Sequence, residues 1–122
     1  MKLNREHLQD LTNQVVDAMG IDFNVTVIVK NDLTEEILND IREKVGISWV
    51  ALAVWEDENG NEDMLIFDEE EINSFKIDSI VEIIRHELMH LITQEGDDSI
   101  IFQNFCRMSN IPLSGELSWE VA

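Results

Sequence analysis

Apolar residues recur along this chain at two different spacings, and the change from one to the other divides it into elements. Leu8, Leu11, Val15 and Met19 stand three or four apart, which predicts an amphipathic helix with Asn4 as N-cap and Gly20 just past its end. Phe23 to Val29 is β-branched and predicts a strand. Thr34, two acids and then Ile37, Leu38, Ile41 and Val45 predict a second helix, capped by Thr34 and closed at Gly46. Two further apolar runs, Ile47 to Trp55 and Glu62 to Phe67, flank an acidic stretch whose Asn59-Gly60 step is a turn signal, so they predict an antiparallel hairpin. Trp49 and Trp55 are expected to pack against a helix layer. Asp68 to Glu71 leads into a short piece, Ile72 to Phe75, after which Asp78 or Ser79 caps a long helix running to about Gln94. Gly96 breaks that helix. Asp98 to Ser109 then predicts a closing helix with Ile101, Phe102, Phe105 and Met108 inward, ended by Asn110-Ile111-Pro112. In the tail, Leu117 and Trp119 are the residues expected against the core. The pattern predicts an α+β fold, a small antiparallel-containing sheet packed on helices, as a single domain over residues 1–122.

The long helix carries the chemistry. It contains His86-Glu87-Leu88-Met89-His90, and on a helix positions i and i+4 lie one above the other, so the two imidazoles can converge on one ion. Neutral imidazole suits Zn²⁺, and a catalytic zinc takes three ligands from protein and leaves one position for water. Glu87 is placed to act as general base on that water, which makes the implied chemistry hydrolysis. The residues off the ligand face, Ile80, Val81, Ile83, Ile84, Leu88, Leu91 and Ile92, are apolar, so the helix is expected to be buried around most of its circumference. His7, in the first helix, has no such spacing around it and is expected to be a surface residue.

Charge changes the picture of partners. With 26 acidic and 8 basic residues the formal net charge is −18, a field that repels nucleic-acid backbones and favours basic peptides or proteins. Cys106 is the only cysteine, which excludes an intramolecular disulfide and suits a reducing compartment. The first residues are polar where a secretory signal needs an apolar core, and no apolar run is long enough to cross a membrane. A cytoplasmic protein without a membrane partner is expected.

A third metal ligand must come from beyond the helix. Glu95, Asp97 and Asp98 are nearest in sequence, with Cys106 and Glu116 further off; Asp97 and Asp98 follow the Gly96 break, where the chain can fold back. The order of elements, together with His86, Glu87, His90 and Phe102, resembles the SprT-like branch of the zincin metallopeptidases. The resemblance spans about residues 1–112 and implies a zinc peptidase whose third ligand stands four residues before an aromatic on the next helix. Phe102 matches that aromatic, and Asp98 stands where the family has a histidine. The resemblance therefore implies His86, His90 and Asp98 as metal ligands and Glu87 as the catalytic residue, although Asp98 is equally placed to cap the closing helix, with Asp97 next in line as ligand. A second function class remains open: an acidic binding or inhibitor protein that mimics nucleic acid, built on the same scaffold with a structural or lost metal.

Overall fold

The computed structural model describes residues 2–46, 49–55 and 62–113. The Asn59-Gly60 turn, Glu116, Leu117 and Trp119 lie outside them. Helix α1 (Arg5–Met19) begins as its sequence demands: the Asn4 side chain accepts from the His7 backbone N–H, and the His7 ring accepts from the Asn4 N–H, a reciprocal cap that gives the exposed His7 its structural task. It ends where Gly20 takes a left-handed φ of 71°, a conformation that Cβ-bearing residues resist. Strand β1 (Thr26–Val29) runs into a single 3₁₀ turn, Lys30–Asp32, and then α2 (Glu35–Lys44), capped by the Thr34 hydroxyl. Strands β2 (Ala51–Val54) and β3 (Met64–Phe67) follow, then the short α3 (Glu69–Ile72), capped by the Asp68 carboxylate, α4 (Ile77–Thr93) and α5 (Ile100–Met108).

Among the described residues these make an α+β domain of five α-helices and one mixed three-stranded sheet in the order β1-β3-β2. β2 and β3 pair antiparallel, Ala51 opposite Phe67 and Val54 opposite Met64, as the hairpin pattern predicts. β1 pairs parallel to β3, with Thr26 opposite Met64 and Val29 opposite Phe67. Strand alternation sends Val27, Val29, Leu65 and Phe67 into one core with Leu8 and Val15 of α1 and Ile80, Ile83, Ile84, Leu88 and Leu91 of α4. Ile28, Leu52, Val54, Met64 and Ile66 face the other way, toward Ile37 and Ile41 of α2 and Val45 at its end, across an open groove. α4 is packed between α1, β2 and α5; of its residues expected inside, Ile80, Ile83, Ile84, Leu88 and Leu91 are buried, Val81 is half-buried and Ile92 is exposed. Trp49 is buried, with the Lys30 ammonium 5.7 Å from its ring centre, and Trp55 packs against the core.

The two edges of the sheet differ. At the β1 edge the side-chain amide of Gln9 donates to the Val25 carbonyl at 2.9 Å and accepts from the Val27 N–H at 2.8 Å, taking two of the hydrogen bonds that a further strand would make. Among the described residues β2 has β3 on one side and no strand on the other.

Two expectations need adjusting. α4 starts from Lys76, without a side-chain cap, rather than from Asp78 or Ser79; its first turn is held by the core packing of Ile80 instead. It ends where expected, at Gln94, which takes the left-handed conformation (φ 54°). α5 is capped by the Ser99 hydroxyl and buries only Phe102 and Cys106, one helical turn apart. Ile101, Phe105 and Met108, expected inward, are exposed, as is Ile100. No helix of the described residues is long and apolar enough to cross a membrane.

Candidate metal centre

The centre is built where α4, the turn after it and the segment after α5 meet. His86 and His90 are both buried, 3% and 6% exposed, with ring centres 5.0 Å apart. Each ring is held twice. The Nδ1–H of His86 donates to the Pro112 carbonyl at 2.9 Å, and the Nδ1–H of His90 donates to the Glu95 carbonyl at 2.7 Å. A carbonyl oxygen only accepts, so both Nδ1 atoms must carry the proton and both Nε2 atoms are left for other work. Phe102 fixes the planes: it stacks on His90 at 3.9 Å with 4° between the rings and meets His86 edge-on at 5.2 Å. Phe102 is buried, as the helical pattern predicts.

Both Nε2 atoms point at the same oxygen of Asp97, 3.0 Å from His86 and 3.2 Å from His90. Two neutral imidazoles would present lone pairs to a carboxylate there, which is repulsive, so the arrangement calls for positive charge. A tetrahedral zinc with bonds of about 2.0–2.1 Å sets neighbouring donor atoms about 3.3 Å apart, close to the spacings present. Protons can supply the same charge. Burial by itself pulls both histidines down, but the Asp97 hydrogen bond, the backbone carbonyls and the charges of Glu87 and Asp97 together outweigh it, and both stand above the usual 6.5.

Asp98 is exposed, and the imidazoles pair with its neighbour Asp97. Ser99, and not Asp98, caps α5. α4 ends at Gln94, as expected, and the turn that follows brings Asp97 over the rings.

Glu87 is half-buried, and ligand atoms of His86, Glu87 and His90 all lie within 4.8 Å of one another. Burial pushes its carboxyl up to about 7, against the pull of the two histidines and with help from Asp97. None of the described residues donates a hydrogen bond to it, so both oxygens remain available for a proton. The Cys106 thiol is buried beneath the centre with Met89, Phe102 and Ile111; desolvation and then the Asp97 charge push it up to about 11, which keeps it protonated in the metal-free protein.

Because His86, His90 and Glu87 all bind a proton more tightly when folded, each adds stability at low pH that is lost as pH rises through its folded value. For Glu87 the loss runs from about 4.5 to about 7; for the histidines it lies above 6.5. Chelator-treated protein should therefore melt at lower temperature at pH 8 than at pH 5.5, by about 4 °C or more, the shift that 1 kcal/mol makes in a domain of this size. Saturating zinc should flatten the dependence, since metal and protons compete for the same atoms. A flat or rising midpoint in the metal-free protein would count against these shifts.

Comparison of the chain with models of known families, with characterised proteins and with solved structures found no match.

Proposed function

We propose that this chain is a zinc-dependent peptidase of zincin-like fold, in which His86, His90 and Asp97 hold the metal and Glu87 is the general base. The observation that carries this reading is the convergence of two buried imidazoles, their Nδ1 atoms committed elsewhere, on one carboxylate oxygen with a second carboxylate alongside. The order of helix, strand, helix, antiparallel pair, His-Glu-x-x-His helix and closing helix supports the zincin-like assignment. Zinc bound there supplies Lewis acidity, polarising a carbonyl and lowering the pKa of water.

The remaining steps belong to the chain. Glu87, whose oxygens take no hydrogen bond from the described residues, takes the proton from water and passes it to the leaving amine. Phe102 and the Pro112 and Glu95 carbonyls keep the rings from turning. Gln9 takes two of the outward backbone hydrogen bonds at the β1 edge, while among the described residues no strand covers the β2 edge, where an extended peptide can add as a strand. Asp63 and Glu69 to Glu71 bias that substrate toward basic sequences.

The charge of −18 also supports the competing reading, an acidic binding protein that keeps this scaffold without catalysis. Metal analysis and proteolysis of a basic unstructured polypeptide separate the two. The enzyme should hold one zinc per chain and cleave in a manner abolished by chelator and restored by zinc. Protein that takes up no zinc, or a zinc-loaded protein that cleaves nothing while binding basic partners tightly, would overturn the peptidase.

A further inference from the structure

Arg85, the residue before His86, sits outside the ligand set, and its guanidinium does two things. One nitrogen pairs with Glu82 at 2.8 Å; another donates to the Ser109 carbonyl at 3.1 Å. Ser109 is the residue at which α5 ends and the chain turns back toward the metal helix. The turn is a Schellman closure: Asn110 takes a left-handed φ of 56°, its N–H donates to the Arg107 carbonyl, and the Ile111 N–H donates to the Cys106 carbonyl at 2.8 Å. Ile111 is buried against Met89, Phe102 and Cys106. One residue later the Pro112 carbonyl accepts the His86 Nδ1–H.

We infer that Arg85 is a positioning residue for His86: by fastening Ser109 it sets the strap Ser109–Pro112, whose last carbonyl fixes the tautomer and plane of the imidazole beside it. The inference rests on the metal-site reading for its consequence, since a ligand held in the right tautomer binds metal better. The device is a closed loop. α4 supplies both the ring that is oriented and the cation that orders the segment orienting it, so a change at one position of the helix reaches its neighbour through the end of α5. Proline at 112 suits the task, because its carbonyl is available and its fixed φ stiffens the strap.

The test is the zinc affinity of full-length variants, measured by competition with a chromophoric chelator, with nuclear magnetic resonance of the metal-free protein as a second readout. Arg85→Met keeps the apolar stem and removes both polar contacts; zinc should bind about 10- to 100-fold more weakly, the usual cost of losing support around a ligand. Glu82→Gln removes only the ion pair and should bind zinc like the parent. Asn110→Val resists the left-handed conformation and should weaken zinc as Arg85→Met does, whereas Asn110→Gly adopts it freely and should retain affinity. In the metal-free protein the His86 Nδ1–H resonance should be sharp in the parent and in Asn110→Gly, and lost to solvent exchange in Arg85→Met and Asn110→Val. Parental zinc affinity and an intact Nδ1–H signal in Arg85→Met would overturn the inference, as would equal effects of Glu82→Gln and Arg85→Met. If Arg85→Met does not fold, the two Asn110 variants decide it. If the parent itself binds no zinc, the metal reading fails while the Nδ1–H signal still decides whether Arg85 sets the strap.

Discussion

Replacing Glu87 with Gln should reduce peptide hydrolysis by about 10²- to 10⁴-fold, the usual contribution of a positioned general base, while leaving zinc content and folding nearly unchanged. The substitution is close to isosteric and removes a carboxylate that takes no hydrogen bond from the described residues, so little packing or pairing is lost with it. It also removes a group whose burial disfavours its charged form, which should leave the metal-free protein as stable or slightly more stable near neutral pH. The paired control neutralises acids far from the imidazoles: Glu69, Glu70 and Glu71 to Gln should alter substrate preference modestly and leave zinc untouched. Full biological activity in Glu87→Gln beside an inactive acid-cluster variant would establish the binding protein in place of the enzyme. Loss of zinc in Glu87→Gln would have a different meaning. Because ligand atoms of Glu87, His86 and His90 lie within 4.8 Å of one another, it would place Glu87 among the ligands and leave the base to be found.

The second large effect is expected at Asp97. Asp97→Ala should weaken zinc binding by well over the 10- to 100-fold that loss of a supporting group costs, because it removes the oxygen on which both Nε2 atoms converge. Asp98→Ala should leave affinity within about twofold, the scale of a surface substitution away from the metal. Asp97 is 58% exposed while the histidines are almost fully buried, so the carboxylate is the solvent-facing member of the set. Titrating apo-protein with zinc in the two variants is the measurement. Parental affinity in Asp97→Ala with loss in Asp98→Ala would restore the ligand set implied by family resemblance.

What could be read from sequence were the features set by local rules. The capping side chains of Asn4, Thr34 and Asp68, the left-handed Gly20, the β2–β3 pairing and the His86/His90 convergence each depend on residues within a few positions or on one helical period. The third partner of the imidazoles could not be read this way. Asp97 and Asp98 are adjacent and chemically alike, and which of them reaches the rings depends on the path of the turn after Gln94, which residue identity does not record. The inward face of α5 failed for a related reason. Nine residues carrying five large apolar side chains offer more than one plausible stripe, and the stripe that is buried is the one containing Phe102, which the two imidazoles engage. The parallel placement of β1 against β3 was invisible because no local pattern records which distant strand a strand will choose. Arg85 and the Pro112 carbonyl were equally hidden, since a backbone acceptor has no signature in residue identity.

That parallel pairing governs the order in which the chain can assemble. β2 and β3 are neighbours in sequence and can find each other quickly, while β1 must wait until all of α2 and β2 has been brought round, a closure whose entropic cost precedes any reward from contacts. α1 is bound to the same event, because its Gln9 amide bonds the backbone of Val25 and Val27. The amino-terminal third of the molecule should therefore join late, onto a nucleus of β2, β3 and α4, and mutations at Gln9 should speed unfolding far more than they slow folding.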